Sequence, residues 1–165
     1  MTGPVRVAGA GHRLLADATI DVVMQALRDR LSLFARGGAC AVGISSLADG
    51  ADQLFAEAIL ELGWPLEVIV PSHGYREQVP EALRATYDRL LACAAAVEVL
   101  DYPEPTLGAY VALARRLVER ADVIVAVWDG RRARGPGGTG DVVAFARERG
   151  VPVVRVWPRG AVRNE

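Results

Sequence analysis

The chain has 165 residues, 52% hydrophobic and 24% charged, a balance that argues against disorder and coiled coil and suits one domain spanning residues 1–165. Nineteen cationic side chains face twenty Asp plus Glu for a net charge of −1. With no basic excess to neutralise a phosphate backbone, no nucleic-acid partner is expected. All the cations are Arg and none is Lys, which excludes a Walker A loop, a pyridoxal Schiff base and any lysine nucleophile.

Met1-Thr2-Gly3-Pro4 runs straight into a strand pattern, without the charged and apolar regions of a secretory leader. No apolar run reaches the roughly 18 residues of a membrane span. A soluble, cytoplasmic protein with no membrane partner is the expectation. Cys40 and Cys93 are far apart, in apolar surroundings without a CxxC, and read as buried free thiols. Neither a metal nor a cofactor is called for by any residue cluster.

Apolar runs of strand length are predicted at 5–9, 40–45, 66–70, 96–100, 123–128 and 151–157. The first empties into Gly9-Ala10-Gly11-His12-Arg13, where small residues admit a ligand and His12 and Arg13 supply donors to an anion; a bare tight turn reads equally well. Leu14 stands where a dinucleotide GxGxxG fingerprint has its third Gly. A long amphipathic helix follows, with Ile20, Val23, Met24, Leu27, Leu31 and Phe34 on one stripe, Asp17 as its cap and Gly37 as its stop. Two copies of the chain could pair through it.

The second strand leads into Ser45-Ser46-Leu47-Ala48-Asp49-Gly50-Ala51-Asp52, with a helix starting near Gly50. Ser46, Gly50 and Asp52 there form either an anion or ribose-phosphate site or simply a helix cap. Leu54, Phe55, Ala58, Ile59 and Leu62 form that helix's stripe. After the third strand, Ser72, His73, Tyr75 and Arg76 offer a hydroxyl, a ring to stack on a base and a second cation, with His73 more simply read as solvated. Helices around Leu83–Leu91 and Tyr110–Val118, by numbers 83–91 and 110–118, flank the fourth strand.

The fifth strand ends at Asp129-Gly130 and is followed by four glycines in six residues, Gly135, Gly137, Gly138 and Gly140, around Thr139. A buried strand, a glycine-rich loop and a new helix present unpaired N–H groups to a phosphate, and a plain turn is the alternative reading. Arg131, Arg132 and Arg134 in between read as a closing segment or a solvated loop. The alternation of strand and helix predicts an α/β, Rossmann-like, doubly wound and mostly parallel sheet of about six strands with helices on both faces, its ligand at the carboxyl edge.

Gly11-His12-Arg13, Gly50-Ala51-Asp52 with Leu54-Phe55-Ala56-Glu57, Ala121-Asp122 before the fifth strand and Gly137-Gly138-Thr139 after it together resemble the SLOG superfamily over nearly the whole chain. That superfamily includes Lonely-guy phosphoribohydrolases, the DNA-processing protein A domain, molybdenum-cofactor carrier proteins and stand-alone bacterial nucleotide sensors. The resemblance implies a Rossmann-like domain that holds a nucleotide-type ligand's phosphate at Gly137, Gly138 and Thr139. Its enzymatic branch resembles the chain through Pro-Gly-Gly-x-Gly-Thr-x-x-Glu; here Pro136-Gly137-Gly138 meets Thr139 directly and Val142 stands where the Glu would be. Asp141 and Glu57 are the carboxylates left for an N-glycosidase, with Arg115 and Arg116 near the position of that branch's helical Arg. Binding or sensing of a phosphorylated nucleotide-type molecule is thus the first reading, and a nucleoside-monophosphate phosphoribohydrolase the alternative. Whether the chain is an enzyme is open at this point.

Overall fold

A computed structural model describes residues 3–13 and 15–164; the readings of the Met1-Thr2 start and of Leu14 lie outside them. The chain runs β1 (Val5–Gly11), α1 (Asp17–Ala35), β2 (Ala41–Ser45), α2 (Ala51–Glu61), β3 (Leu66–Val70), a 3-10 turn (Tyr75–Gln78), α3 (Glu81–Ala92), β4 (Ala96–Val99), α4 (Leu107–Arg120), β5 (Val123–Val127), α5 (Thr139–Glu148) and β6 (Val153–Val156). The sheet order is β4-β3-β2-β1-β5-β6, and every pairing between these strands is parallel. The expected doubly wound α/β fold is therefore present.

Period-two alternation along the strands divides the core. Val7, Val68, Val123 and Val125 face a cluster with Leu27, Leu31, Phe55, Ile59 and Leu90 of α1, α2 and α3. Ala8, Ile44, Ile69, Ile124 and Ala126 face the other, with Leu113 and Leu117 of α4 and Val142, Val143 and Ala146 of α5. Strands covered on both faces must be apolar at successive positions, which is why β5 reads as an uninterrupted run. At the sheet's edge β4 leaves Val97 and Val99 exposed.

Two glycines let α2 lie close on the sheet. A Cβ on Gly9 would sit 2.4 Å from the Phe55 ring, and one on Gly43 would sit 2.5 Å from Ile59. Helix starts follow local chemistry: Thr106 caps α4 by accepting the Ala109 N–H at 3.2 Å. Asp17, expected as a cap, is instead the first residue of α1, and Ala16 holds the cap position without a side-chain bond. The cysteines are free, but both are exposed rather than buried. Cys40 precedes β2 and Cys93 follows α3, so each lies at the end of an element, where an apolar neighbourhood in sequence does not translate into cover. Among the described residues no helix is long and apolar enough to cross a membrane.

Candidate ligand cavity at the switch point

The chain winds outward from β1 to β4 and then crosses back to place β5 on β1's other side. Between the ends of β1 and β5 the neighbouring loops diverge, and ligands of open α/β sheets bind in that crevice. A cavity of about 520 Å³ opens there. Gly11, His12 and Arg13 line it from the end of β1, Ser46 and Asp52 from the β2–α2 turn, Tyr75 from beyond β3, and Gly135, Pro136, Gly137, Gly138 and Thr139 from the loop before α5. Elements separated by more than a hundred residues thus share one wall. Gly11 must be small at this point, because a Cβ would lie 2.4 Å from that of Ala51 and 2.8 Å from that of Val127.

Other expected residues lie beside the cavity rather than in its lining. Gly9 is packed under Phe55. Gly50, with φ +88°, caps α2 in a conformation that favours glycine, and a Cβ there would meet the Arg13 carbonyl at 2.3 Å. Ser72 is buried, and its Oγ has no partner among the described residues. Asp129 is bound to His12. Glu57 is on the outer part of α2 in an ion pair with Arg89 of α3, so its charge is already neutralised outside the cavity. Asp141 accepts the Gly137 N–H at 2.8 Å and so caps its own loop.

The β2–α2 turn is not an open anion site. The Ala51 N–H donates to the His12 carbonyl at 3.1 Å, and a carboxylate already occupies the helix start. Asp52 is only 6% exposed, accepts the Ser46 hydroxyl at 2.7 Å through Oδ2, and has no partner for Oδ1 among the described residues. Burial pushes its pKa up to about 7, against the pull of the Ser46 hydrogen bond.

His12 works as a clasp between β1 and β5. Its backbone N–H donates to Val127 at 3.1 Å, and its Nε2 lies 3.0 Å from the Asp129 N–H and 3.1 Å from Asp129 Oδ1. Burial, and then the charge of Arg163, hold the imidazole below the usual histidine range, so the neutral ring accepts the Asp129 N–H. Arg13 donates from Nε to Asp49 at 2.8 Å. Tyr75, expected as a stacking ring, is buried edge-on against Tyr87 at 5.9 Å, and burial raises its hydroxyl's pKa.

The glycine-rich loop has structural reasons for two of its glycines. Gly137 has φ +78°, and a Cβ there would lie 2.6 Å from the Tyr110 carbonyl carbon; one on Gly140 would lie 2.5 Å from the Ala133 nitrogen. These two glycines thus have steric reasons independent of any ligand. Its N–H groups are also spoken for in part: Gly137 donates to Asp141, and Gly138 to the Gly135 carbonyl at 3.2 Å. The N–H groups of Thr139 and Gly140, in the first turn of α5, have no acceptor among the described residues. Of the three expected positions, Gly137 and Gly138 have their N–H groups engaged, and Thr139 keeps an open one.

Three further lining residues were not among the candidate site residues. Tyr110 sits on the apolar stripe of α4 and reads as core, yet its half-buried ring lines the cavity. Arg134 reads as part of a closing segment or of a solvated loop. Arg163 comes from the segment after β6 and reaches the cavity only because that segment folds back on the β1–α1 connection, bridging Leu15. Nothing local to residue 163 announces that.

No protein-family model matches the chain, and no curated protein does. Among solved structures, DNA processing protein A of Streptococcus pneumoniae superposes with a TM-score of 0.63 at 18% identity, over 95% of this chain and 52% of its own. The DNA processing protein A of Helicobacter pylori, described for its unique single-stranded DNA binding mode, gives 0.63 at 18%, over 96% of this chain and 67% of its own. TM1055, a structural genomics target, gives 0.56 at 16%, over 90% and 72%. The chain thus spans about half the length of the S. pneumoniae protein. The expected absence of a nucleic-acid partner is overturned by the H. pylori protein: a fold of this kind engages single-stranded DNA, so net charge is no ground for exclusion. The chain shares the Rossmann-like α/β fold of these solved structures.

Proposed function

We propose that this protein binds a nucleotide-type phosphorylated molecule in the switch-point cavity, with the phosphate at the start of α5. The observation that carries the reading is the open N–H group of Thr139 at the start of α5, in a cavity whose other walls hold Arg13, Asp52 and the Tyr110 ring. Backbone donors at a helix N-terminus favour an anion, an aromatic face suits a base, and about 520 Å³ lies within the range of small-ligand sites. A strand of DNA presents the same phosphate and base chemistry, and the H. pylori neighbour makes it the second ligand to try.

Calorimetric titration with AMP, adenosine and a short single-stranded oligonucleotide tests the reading. AMP is expected to bind and adenosine to bind far more weakly. Thr139→Pro is the informative variant. Proline is accommodated at the first helical position, and Gly138 before it is extended (φ −71°, ψ 176°), so α5 is kept while one phosphate donor is lost. Affinity for AMP should fall by about tenfold with thermal unfolding unchanged. Failure of all three ligands to bind would remove the proposal.

The phosphoribohydrolase alternative loses both of its candidate carboxylates, since Asp141 caps the loop and Glu57 lies outside the cavity. One observation still speaks for it: Asp52 lines the cavity with its pKa raised to about 7, the range of a general acid. Incubation with AMP is expected to release no free base. Release that disappears in Asp52→Asn would reverse the order of the two readings.

A further inference from the structure

Arg163 is a cation built into the cavity wall without an adequate counter-ion. Its side chain is 16% exposed, its Nε is buried with no partner among the described residues, and its nearest carboxylate, Asp129, is 3.9 Å away. That carboxylate is shared, because Asp129 also contacts His12 and accepts the Arg131 N–H at 3.0 Å. Arg134 lines the same cavity and makes no ion pair among the described residues. Two guanidiniums therefore face one space; burial, and then the repulsion from Arg134, lower the pKa of Arg163.

Arg163 is also held in place. The Val162 N–H donates to Thr19 Oγ1 at 2.8 Å, the Thr19 hydroxyl donates to the Val162 carbonyl at 3.1 Å, the Ala16 N–H donates to the same carbonyl at 3.3 Å, and Asn164 Nδ2 donates to the Leu15 carbonyl at 3.2 Å. Four hydrogen bonds fasten the segment on both sides of residue 163. A fixed, partly buried and underpaired cation costs stability unless an anion joins it.

We infer that Arg163 and Arg134 form a two-cation clamp for a terminal phosphate monoester, closing over the open N–H group of Thr139. This rests on the proposed nucleotide site and narrows its ligand. A monoester carries about −1.5 to −2 near pH 7 and three acceptor oxygens, enough to meet two guanidiniums and a helix start. A phosphodiester inside a strand or a cyclic nucleotide carries a single charge and fewer free oxygens. A second polar feature lies in the same wall: Asp52, more than nine-tenths buried, lines the cavity, and its Oδ1 has no partner among the described residues.

The test is calorimetry of AMP, 3′,5′-cyclic AMP and inorganic phosphate on the wild type, Arg163→Met and Arg134→Met, with ligand-free melting temperatures in a phosphate-free buffer. Wild type should bind AMP at least about tenfold tighter than cyclic AMP. Each variant should lose about ten- to a hundredfold in AMP affinity and most of that preference. Ligand-free Arg163→Met should melt no lower than wild type, whereas a purely structural Arg163 would give a clear loss. Arg134→Met, in the exposed loop, keeps the test open if Arg163→Met does not fold. Equal binding of AMP and cyclic AMP by wild type, or undiminished AMP binding by both variants, overturns the clamp while leaving the nucleotide site standing. Inorganic phosphate bound in an Arg163-dependent way without AMP would keep the clamp and remove the nucleotide. No binding of any probe removes both.

Discussion

Asp52 is a carboxyl that burial drives far from its ordinary behaviour. Below about pH 4 its carboxyl is protonated in both folded and unfolded chains and contributes no pH dependence. Between about 4 and 7 the unfolded chain releases the proton while the buried group keeps it, so the folded state binds more protons and stability falls as pH rises. Above about 7 both forms are ionised and the penalty is complete, on the order of 4 kcal/mol. Asp52→Asn should therefore melt higher than wild type at pH 8, with the difference closing towards pH 4 in a series of thermal scans. A parallel pH dependence in the two proteins would show that Asp52 is not the group responsible. Gly137 is governed by backbone geometry instead. With φ +78° and Tyr110 backbone against its α-carbon, Gly137→Ala should cost about 1–3 kcal/mol and weaken nucleotide binding together, as read by urea unfolding and calorimetry.

At the level of elements, the approach of α2 to the sheet fixes where the β2–α2 turn meets the cavity. Gly9 and Gly43 remove the side chains that would hold Phe55 and Ile59 off β1 and β2. Gly9→Ala should destabilise by about 1–3 kcal/mol through overpacking, and Phe55→Leu in the same chain should return part of that loss because the ring is what the new methyl meets. A double-mutant cycle in urea measures this, and additive costs would show that the two do not press on each other. The segment after β6 acts similarly at a distance: its bonds to Ala16, Thr19 and Leu15 are what turn an otherwise remote Arg163 into a cavity residue.

Across the whole molecule, charge is arranged in networks that a net of −1 conceals. Glu67 of β3 receives Arg6 of β1 at 2.5 Å and Arg120 of α4 at 2.7 Å, and Arg120 and Arg116 both reach Glu98 of β4 at 2.8 Å. This ladder joins strands from the outward winding to the helix that carries the chain back towards β5. The groups are partly exposed, so the contribution is modest and screened by salt. Glu67→Gln should cost about 1 kcal/mol at low ionic strength and clearly less in 1 M salt, by denaturant unfolding at both; a salt-independent cost would assign the loss to packing instead.

The order of strands and helices was legible in the residues because each period is local. Continuous apolar runs mark strands covered twice, three- and four-residue spacing marks the helices, and β3 was bounded at both ends by its own composition. The loops at the carboxyl edge were legible for the same reason, since small and glycine-rich stretches directly follow strands; Gly11, Arg13, Ser46, Asp52, Gly137 and Thr139 do line one cavity. What the sequence could not express is which partners each polar group already has. Asp141 and Glu57 read as free carboxylates, but one caps a loop and the other pairs with Arg89. Cys40 and Cys93 read as buried, but burial depends on what crosses above an element's end. Arg163 and Tyr110 enter the site only through contacts between segments distant in the chain, and such contacts leave no period in the residues that make them.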